Sequence, residues 1–374
     1  MTRVEFPKPT GKYAVGTFTY SLKDDREEIM AMGGMRSVAA RVYYPVLKES
    51  VIGKQKAVAL SENIIKGFKK TFSVSPKFTS GPETNFSECY TNADRISGEK
   101  FPLIMFNHGL GSYREGNSFL CIELASHGYV VISVSHSYEA MCTEFDDGTA
   151  VFYDSRNIKQ YEPMLGGAIS MFNLMKARGS NEDLAKKFDE SQRKYCKFIM
   201  NRTPEWVKDS EAALSYAKKN LSDLIDFDKG VGASGHSMGG NTAYALCARN
   251  PEFVCGINID GSLFGDYTDD IQEKPFLQIS SEDGEYIVTR VYLRHTKPVY
   301  KVLFKNIKHT GFTDAKHMLS FKSVVGKLDP EVLHENICKC HLEFFDAYLK
   351  GIKKEPQLKS NEAITVSVFQ PDVQ

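Results

Sequence analysis

Residues 230–240 read Gly230-Val231-Gly232-Ala233-Ser234-Gly235-His236-Ser237-Met238-Gly239-Gly240, and Asn241 to Arg249 follow as NTAYALCAR. The apolar start of this stretch predicts a buried strand over Gly230–Gly235, and Gly239–Arg249 predicts a helix. Between them, Gly235-x-Ser237-x-Gly239 has small residues on both sides of a serine. A chain that reverses sharply from strand to helix needs them, and the turn forces Ser237 into a strained backbone geometry. The serine hydroxyl then stands above the edge of the sheet, where it can attack a carbonyl. The first N–H groups of the following helix face any negative charge that develops there.

Working outward, the same rhythm of short apolar runs and helices recurs. Pro102–Phe106 is a continuous apolar run that ends in Asn107-His108-Gly109-Leu110-Gly111. A helix over Asn117–His127 and a second buried run, Tyr129–Val134, come next. Beyond the serine, Phe253–Ile259, Phe276–Ser280 and Val299–Phe304 predict strands, and Glu331–Lys350 predicts a helix. Buried runs alternating with helices mark a mostly parallel sheet covered on both faces. Tyr13–Tyr20 and Ser37–Tyr44, closed by Pro45, predict two strands joined by a charged turn. Residues 46–100 read as polar surface excursions with one short helix. Residues 137–203 interrupt the rhythm: they predict an amphipathic helix over Asn181–Met200 and no strand. The next helix is expected at Pro204–Asn220, with Thr203 as its cap and Pro204 at its first position. The whole chain, 1–374, reads as one α/β domain with 137–203 as an inserted cap.

Composition narrows the function classes. The 374 residues carry 47 Lys+Arg and 47 Asp+Glu, so the formal net charge is zero. A surface built for nucleic acid or anionic lipid would show a basic excess. The longest apolar runs are too short to span a bilayer. The opening MTRVEFPKPTGKYAVG lacks the apolar core of a secretory signal, so a cytoplasmic protein is expected. The eight cysteines are Cys89, Cys121, Cys142, Cys196, Cys247, Cys255, Cys338 and Cys340; none is paired in C-x-x-C spacing. They read as intracellular thiols.

A nucleophilic serine needs a base, and the base needs an acid to orient it. In this architecture they follow the serine in the order acid, then histidine. His309 is the expected base, because Asn306-Ile307-Lys308-His309-Thr310-Gly311-Phe312 lies just past the strand Val299–Phe304. His317 lies further from that strand, His334 and His341 fall on the last helix, and His295 is marginal. Two acids compete. Asp260 ends the strand Phe253–Ile259 and is followed by Gly261, whereas Asp283, beside Glu282, follows the strand Phe276–Ser280. Both stand at carboxyl ends of strands, where open α/β sheets carry their sites. On residue chemistry alone they are about equal. The oxyanion donors are expected to be the N–H groups of Met238 and Leu110. No metal or cofactor is required.

Other features have plainer readings beside functional ones. His334-x-x-x-Cys338-x-Cys340-His341 has spacing that would suit a metal, but Leu342, Phe345 and Leu349 continue an apolar stripe that favours core packing. His136 could line the site or be a structural histidine at a strand end. Phe152, Tyr153 and Tyr161 could form an acyl pocket or simply pack a cap. Lys66–Lys70 reads as a solvated basic face. A non-catalytic binding protein of this fold usually lacks one member of the serine, histidine and acid set, and none is missing here.

At these residues the chain resembles the platelet-activating factor acetylhydrolases of the plasma and intracellular type II kind. The resemblance begins with Thr10-Gly11-Lys12-Tyr13-Ala14-Val15-Gly16 and Arg41-Val42-Tyr43-Tyr44-Pro45. It runs on through Asn107–Gly111, Leu124-Ala125-Ser126-His127-Gly128-Tyr129, Gly235–Gly240, Cys255-Gly256-Ile257-Asn258-Ile259-Asp260 and Lys308-His309-x-x-Phe312-x-Asp314. It implies an α/β-hydrolase fold and cofactor-free ester hydrolysis, with short-acyl esters such as sn-2 acetyl phospholipids as substrates. In that family the acid follows the strand after the nucleophile helix, which implies Asp260. The resemblance likewise implies Ser237 and His309 as partners and Leu110 and Met238 as oxyanion donors. Met238 stands where the best-known members carry an aromatic residue, and residues 46–100 and 150–200 look divergent. The GHSMGG run is also similar to that of cutinase-type polyester hydrolases, so a polyesterase or lipase-like hydrolase is the alternative.

Overall fold

Leu103 and Met105 belong to one core cluster and Ile104 and Phe106 to another, and all four are fully buried. A strand that buries both of its faces needs helices on both sides, and the computed structural model supplies them. It describes residues 6–28, 30, 34–72, 86–154, 173–174, 176–284, 294–319 and 321–371.

The strands are β1 (Ala14–Glu28), β2 (Gly34–Val46), β3 (Lys56–Val58), β4 (Phe86–Thr91), β5 (Leu103–Asn107), β6 (Val130–Ser135), β7 (Cys142–Glu144), β8 (Ala150–Phe152), β9 (Val231–His236), β10 (Phe253–Ile259), β11 (Phe276–Ser281), β12 (Val299–Phe304) and β13 (Ile364–Phe369). The helices are α1 (Glu62–Phe72), α2 (Ser118–Ser126), α3 (Asn181–Tyr195), α4 (Lys197–Asn220), α5 (Met238–Arg249), α6 (Ala315–Met318), α7 (Lys322–Val325) and α8 (Pro330–Tyr348). One sheet takes the order β13-β12-β11-β10-β9-β5-β6-β2-β1-β4-β3, and β7 pairs with β8 apart from it. From β6 across β5, β9, β10 and β11 to β12 every pairing is parallel. Helices α4 and α5 contribute to the core on one face; α2 and α8 contribute to the core on the other. This is the α/β-hydrolase arrangement.

The buried central runs were legible in the sequence, and β10 and β12 have the predicted bounds. The periphery differs. β1 and β2 are much longer than predicted, because the charged stretch read as a turn continues β1. Two of its charges find partners outside the strand: Arg26 pairs with Glu205 and Asp209, and Glu28 with the buried Arg36. Residues 46–100 contribute β3 and β4 to the sheet as well as the expected short helix. Inside 137–203 the hairpin β7–β8 corrects the expectation of no strand; Cys142 there packs with Leu60, Ile64 and Met141. The helix expected at Pro204 starts at Lys197 and contains the proline. Thr203 is therefore not its cap: its hydroxyl donates to the Ile199 carbonyl at 2.8 Å and accepts from Asn241 on α5 at 2.9 Å. α4 instead follows Cys196, which makes no side-chain capping bond; a capping box of Ser180 and Asp183 starts α3, which ends at Tyr195 instead of Met200. The final strand, β13, was not foreseen. Among the described residues, no helix is long and apolar enough to cross a membrane.

Candidate active site

Ser237 joins β9 to α5 with φ 57° and ψ −121°, in a region that L-residues rarely occupy. Its neighbours account for the turn. A Cβ at Gly239 would lie 2.0 Å from the Asn107 carbonyl oxygen, and one at Gly235 would lie 2.3 Å from the Gly239 backbone. The elbow is anchored to the next strand by the Ser237 N–H, which donates to the Ile259 carbonyl at 2.8 Å.

That strand, β10, leads into Asp260, which also has a left-handed backbone (φ 54°) and is 2% exposed. The Asn258 side chain shapes this corner: its Oδ1 accepts the Gly261 N–H and its Nδ2 donates to the Gly261 carbonyl, both at 2.9 Å. Asp260 accepts hydrogen bonds from the Ser281 N–H at 2.7 Å and from the Ser281 hydroxyl. It also accepts one from His309 Nδ1 at 2.8 Å. Burial alone would push its carboxyl up, but the bonds from His309 and Ser281 outweigh that and hold it below the ordinary carboxylate range. His309 follows β12, and its side chain is 48% exposed. The ring nitrogen opposite Asp260 is thus left for chemistry.

The loop after β5 runs beside the elbow; a Cβ at Gly109 would lie 3.2 Å from Ser237 Cβ. Within it, the Gly111 N–H is taken by the Glu139 carbonyl at 2.8 Å. The Leu110 N–H has no partner among the described residues. Met238 N–H belongs to the first turn of α5, where amides lack intrahelical acceptors. His108 braces the loop from behind. Burial, with His136 nearby, lowers its pKa to about 3, so it is neutral; Nδ1 donates to the Gly109 carbonyl at 2.7 Å. The His108 Nε2 accepts the His136 N–H at 3.2 Å.

The comparisons with known proteins follow the same line. The sequence profile described as "Platelet-activating factor acetylhydrolase, isoform II" matches residues 1–363. The chain belongs to this family. Relatives named platelet-activating factor acetylhydrolase are 28% identical over 70% of the chain in Cavia porcellus and 31% identical over 71% in Bos taurus. The matched segments cover 61% and 60% of those relatives, so the chain spans about three fifths of their length. A protein of Arthroderma benhamiae, named a probable 1-alkyl-2-acetylglycerophosphocholine esterase, is 22% identical over 66% of the chain and 58% of its own length. Among solved structures, a ferulic acid esterase from Streptomyces cinnamoneus superposes with a TM-score of 0.69, covering 98% of this chain and 99% of its own, at 19% identity.

In this member of the acetylhydrolase family the other candidate residues are held elsewhere. Asp283 forms an ion pair with Lys308, and Glu282 accepts the Asn306 N–H at 2.9 Å. Neither carboxylate engages His309, although all of these residues lie in the same cluster of loops. His317 packs against Phe6 and Phe119, and His334 also packs against Phe119. His341 is fully buried, bonded to the Ile337 carbonyl at 2.8 Å and to the Ser234 hydroxyl at 3.2 Å. His295 is buried against Tyr244 and Phe276. Cys338 and His334 approach at 3.6 Å, but no set of three or more metal-ligating side chains forms among the described residues. Phe152 packs with the β7–β8 cluster beneath the ammonium groups of Lys66 and Lys70, so those lysines cover an aromatic ring as well as facing solvent. Tyr161 lies outside the described residues.

Sequence reasoning missed two supporting devices. The first is a buried ion network: Arg36 contacts Glu28, Glu139 and Asp209, Arg202 pairs with Glu139, and His136 bonds Asp209 at 2.8 Å while stacking on Trp206. Burial pushes the Asp209 carboxyl up, yet Arg36 and His136 hold it far below the ordinary range. His136 is therefore structural, and the network carries Glu139, the acceptor for Gly111. The second device is Asp314. Its carboxylate accepts from Ser118 Oγ and from the Phe119 N–H, and its own N–H donates to the Gly116 carbonyl at 2.8 Å. Asn117 Nδ2 adds a bond to the Phe312 carbonyl at 2.8 Å. The His309 loop is thereby stitched to the start of α2, a few residues beyond Leu110. Burial lifts the Asp314 carboxyl to about 7 despite the bond from Ser118. Its only sequence signal was its spacing from His309.

Proposed function

We propose that this chain is a serine carboxylic ester hydrolase working through an acyl-enzyme. In this reading Ser237 Oγ attacks the ester carbonyl carbon while His309 takes the hydroxyl proton. Asp260 fixes the imidazole tautomer and stabilises the imidazolium that forms. The oxyanion meets the N–H groups of Leu110 and Met238, and such donors are each worth about 100- to 1000-fold in rate. His309 then protonates the departing alcohol. In the second half it deprotonates a water that attacks the acyl carbon, and the acid leaves as Ser237 recovers its proton.

The observation that carries this reading is the 2.8 Å bond from His309 Nδ1 to a buried Asp260, next to a serine at φ 57°. The relatives' names favour short-acyl esters, such as the sn-2 acetyl group of platelet-activating-factor-like phospholipids, as the substrate class. We read the chain as one catalytic domain in which 137–203 acts as a cap. In support, Phe188 of α3 meets Phe264, four residues past Asp260, with ring centroids 5.5 Å apart.

The test is hydrolysis of p-nitrophenyl esters from acetate to dodecanoate by the native protein and Ser237→Ala. The expected result is activity confined to acetate through butyrate and abolished by the substitution. A preference for long acyl chains would overturn the substrate class and favour a lipase-like hydrolase. Activity that survives Ser237→Ala would overturn the nucleophile.

A further inference from the structure

The residue before the nucleophile, His236, has no role in the scheme above, yet it touches three of its parts. It ends β9, so its backbone runs directly into Ser237. Its ring is 4% exposed and lies 4.6 Å, centroid to centroid, from the His309 ring. Its Nε2 stands 3.0 Å from the main-chain carbonyl oxygen of His309. A carbonyl can only accept, so Nε2 carries the proton and donates. Its Nδ1 faces the oxyanion loop, 3.0 Å from the place a Cβ at Gly109 would occupy.

We infer that His236 is a positioning residue that holds the main chain of His309 in register with the Ser237 elbow. The inference rests on the hydrolase reading of Ser237 and His309. The His309 side chain is half exposed and is bonded through its ring to Asp260. Among the described residues the ring itself is bonded only to Asp260 and the ties to α2 hold the loop at Phe312 and Asp314, so the His236 bond is what fixes the main chain at His309 itself. Burial, reinforced by the nearby His309, lowers the His236 pKa to about 3. The ring is therefore neutral at working pH and keeps one donor and one acceptor. A misplacement of about 1 Å at a catalytic group can cost about 100-fold in rate.

The experiment compares His236→Phe, which keeps a ring but lacks the donor, with His236→Gln, whose amide nitrogen lies at a similar reach. Ser237→Ala serves as the reference. Steady-state p-nitrophenyl acetate hydrolysis, fluorophosphonate labelling of Ser237 and thermal midpoints are measured on the full chain. The expected result for Phe is a kcat lower by about 10- to 100-fold, with KM within about threefold and slower labelling to match. Gln should recover most of that loss. Should Phe fail to fold, His236→Met against His236→Gln makes the same comparison. A donor-less variant that folds with native kcat, or a Gln variant no faster than it, overturns the inference while leaving the hydrolase reading intact. Activity persisting in Ser237→Ala overturns that reading and the inference with it.

Discussion

Replacing Asp314 by Asn should remove a fall in stability that is expected of the native protein between pH 5 and pH 8. Burial lifts the Asp314 carboxyl to about 7, opposed by the bonds from Ser118 and Phe119 and assisted by nearby Glu115. In the unfolded chain the same group titrates near about 3.9. Between those values the folded protein keeps a proton that the unfolded chain has released. The unfolded state then binds fewer protons, so stability falls as pH rises through the window and levels off above about 7. A gap of about three pKa units corresponds to about 4 kcal/mol in total, of which about 2–3 kcal/mol is lost between pH 5 and 8. For a chain of this length that is about 3 °C in Tm. Asparagine cannot ionise, yet it can still accept from Phe119 and pair with Ser118. Urea unfolding of both proteins at pH 5, 6, 7 and 8 measures the difference directly. The native protein should lose about 2–3 kcal/mol relative to the variant across the series. A difference that stays flat to within about 0.5 kcal/mol would refute the reasoning, because the carboxyl would then titrate at an ordinary value in the fold.

Three further substitutions probe the acid and the buried ions. Asp260→Asn should lower kcat by about 10,000-fold by allowing the wrong imidazole tautomer, whereas Asp283→Asn, which frees only a surface lysine, should stay within about threefold; steady-state kinetics on p-nitrophenyl acetate reads both. Arg36→Met should destabilise the fold by about 3–5 kcal/mol, since the buried Asp209, Glu139 and Glu28 would lose their central cation and keep only the flanking Arg26 and Arg202. Urea midpoints check this, and a loss under about 1 kcal/mol would mean that Arg26 and Arg202 neutralise the cluster unaided.

The central sheet and the elbow were readable because their physics is local. Phe253–Ile259 is buried along almost its whole length and Val299–Phe304 is buried except at the half-buried Lys301 and Leu303, so each shows in the sequence as a short, mainly apolar run. Gly235-x-Ser237-x-Gly239 has to reverse the chain within a few residues, and the requirement for small residues shows in the motif itself. Only the turn's close contacts, such as Gly240 against Asn258, needed coordinates.

Local sequence could not decide what depends on partners far along the chain. The charged end of β1 looks like a turn until Glu205, Asp209 and Arg36 arrive to neutralise it. Pro204 looks like a helix start, yet α4 passes through it, with Thr203 bonded back to Ile199 and across to Asn241. The choice between Asp260 and Asp283 is of the same kind. Both carboxylates end parallel strands and both have the right order in the chain. Asp260 reaches His309 because its left-handed corner, held by Asn258, and the donors of Ser281 aim it there, while Asp283 is drawn to Lys308. Sequence alone marked the central strands and singled out one serine and one histidine as candidates, because periodicity and turn sterics are encoded within a few residues. Only the tertiary structure showed which carboxylate bonds His309, which groups brace its loop and which charges are buried together, because hydrogen bonds and charge neutralisation act between groups that the chain brings together from many residues apart.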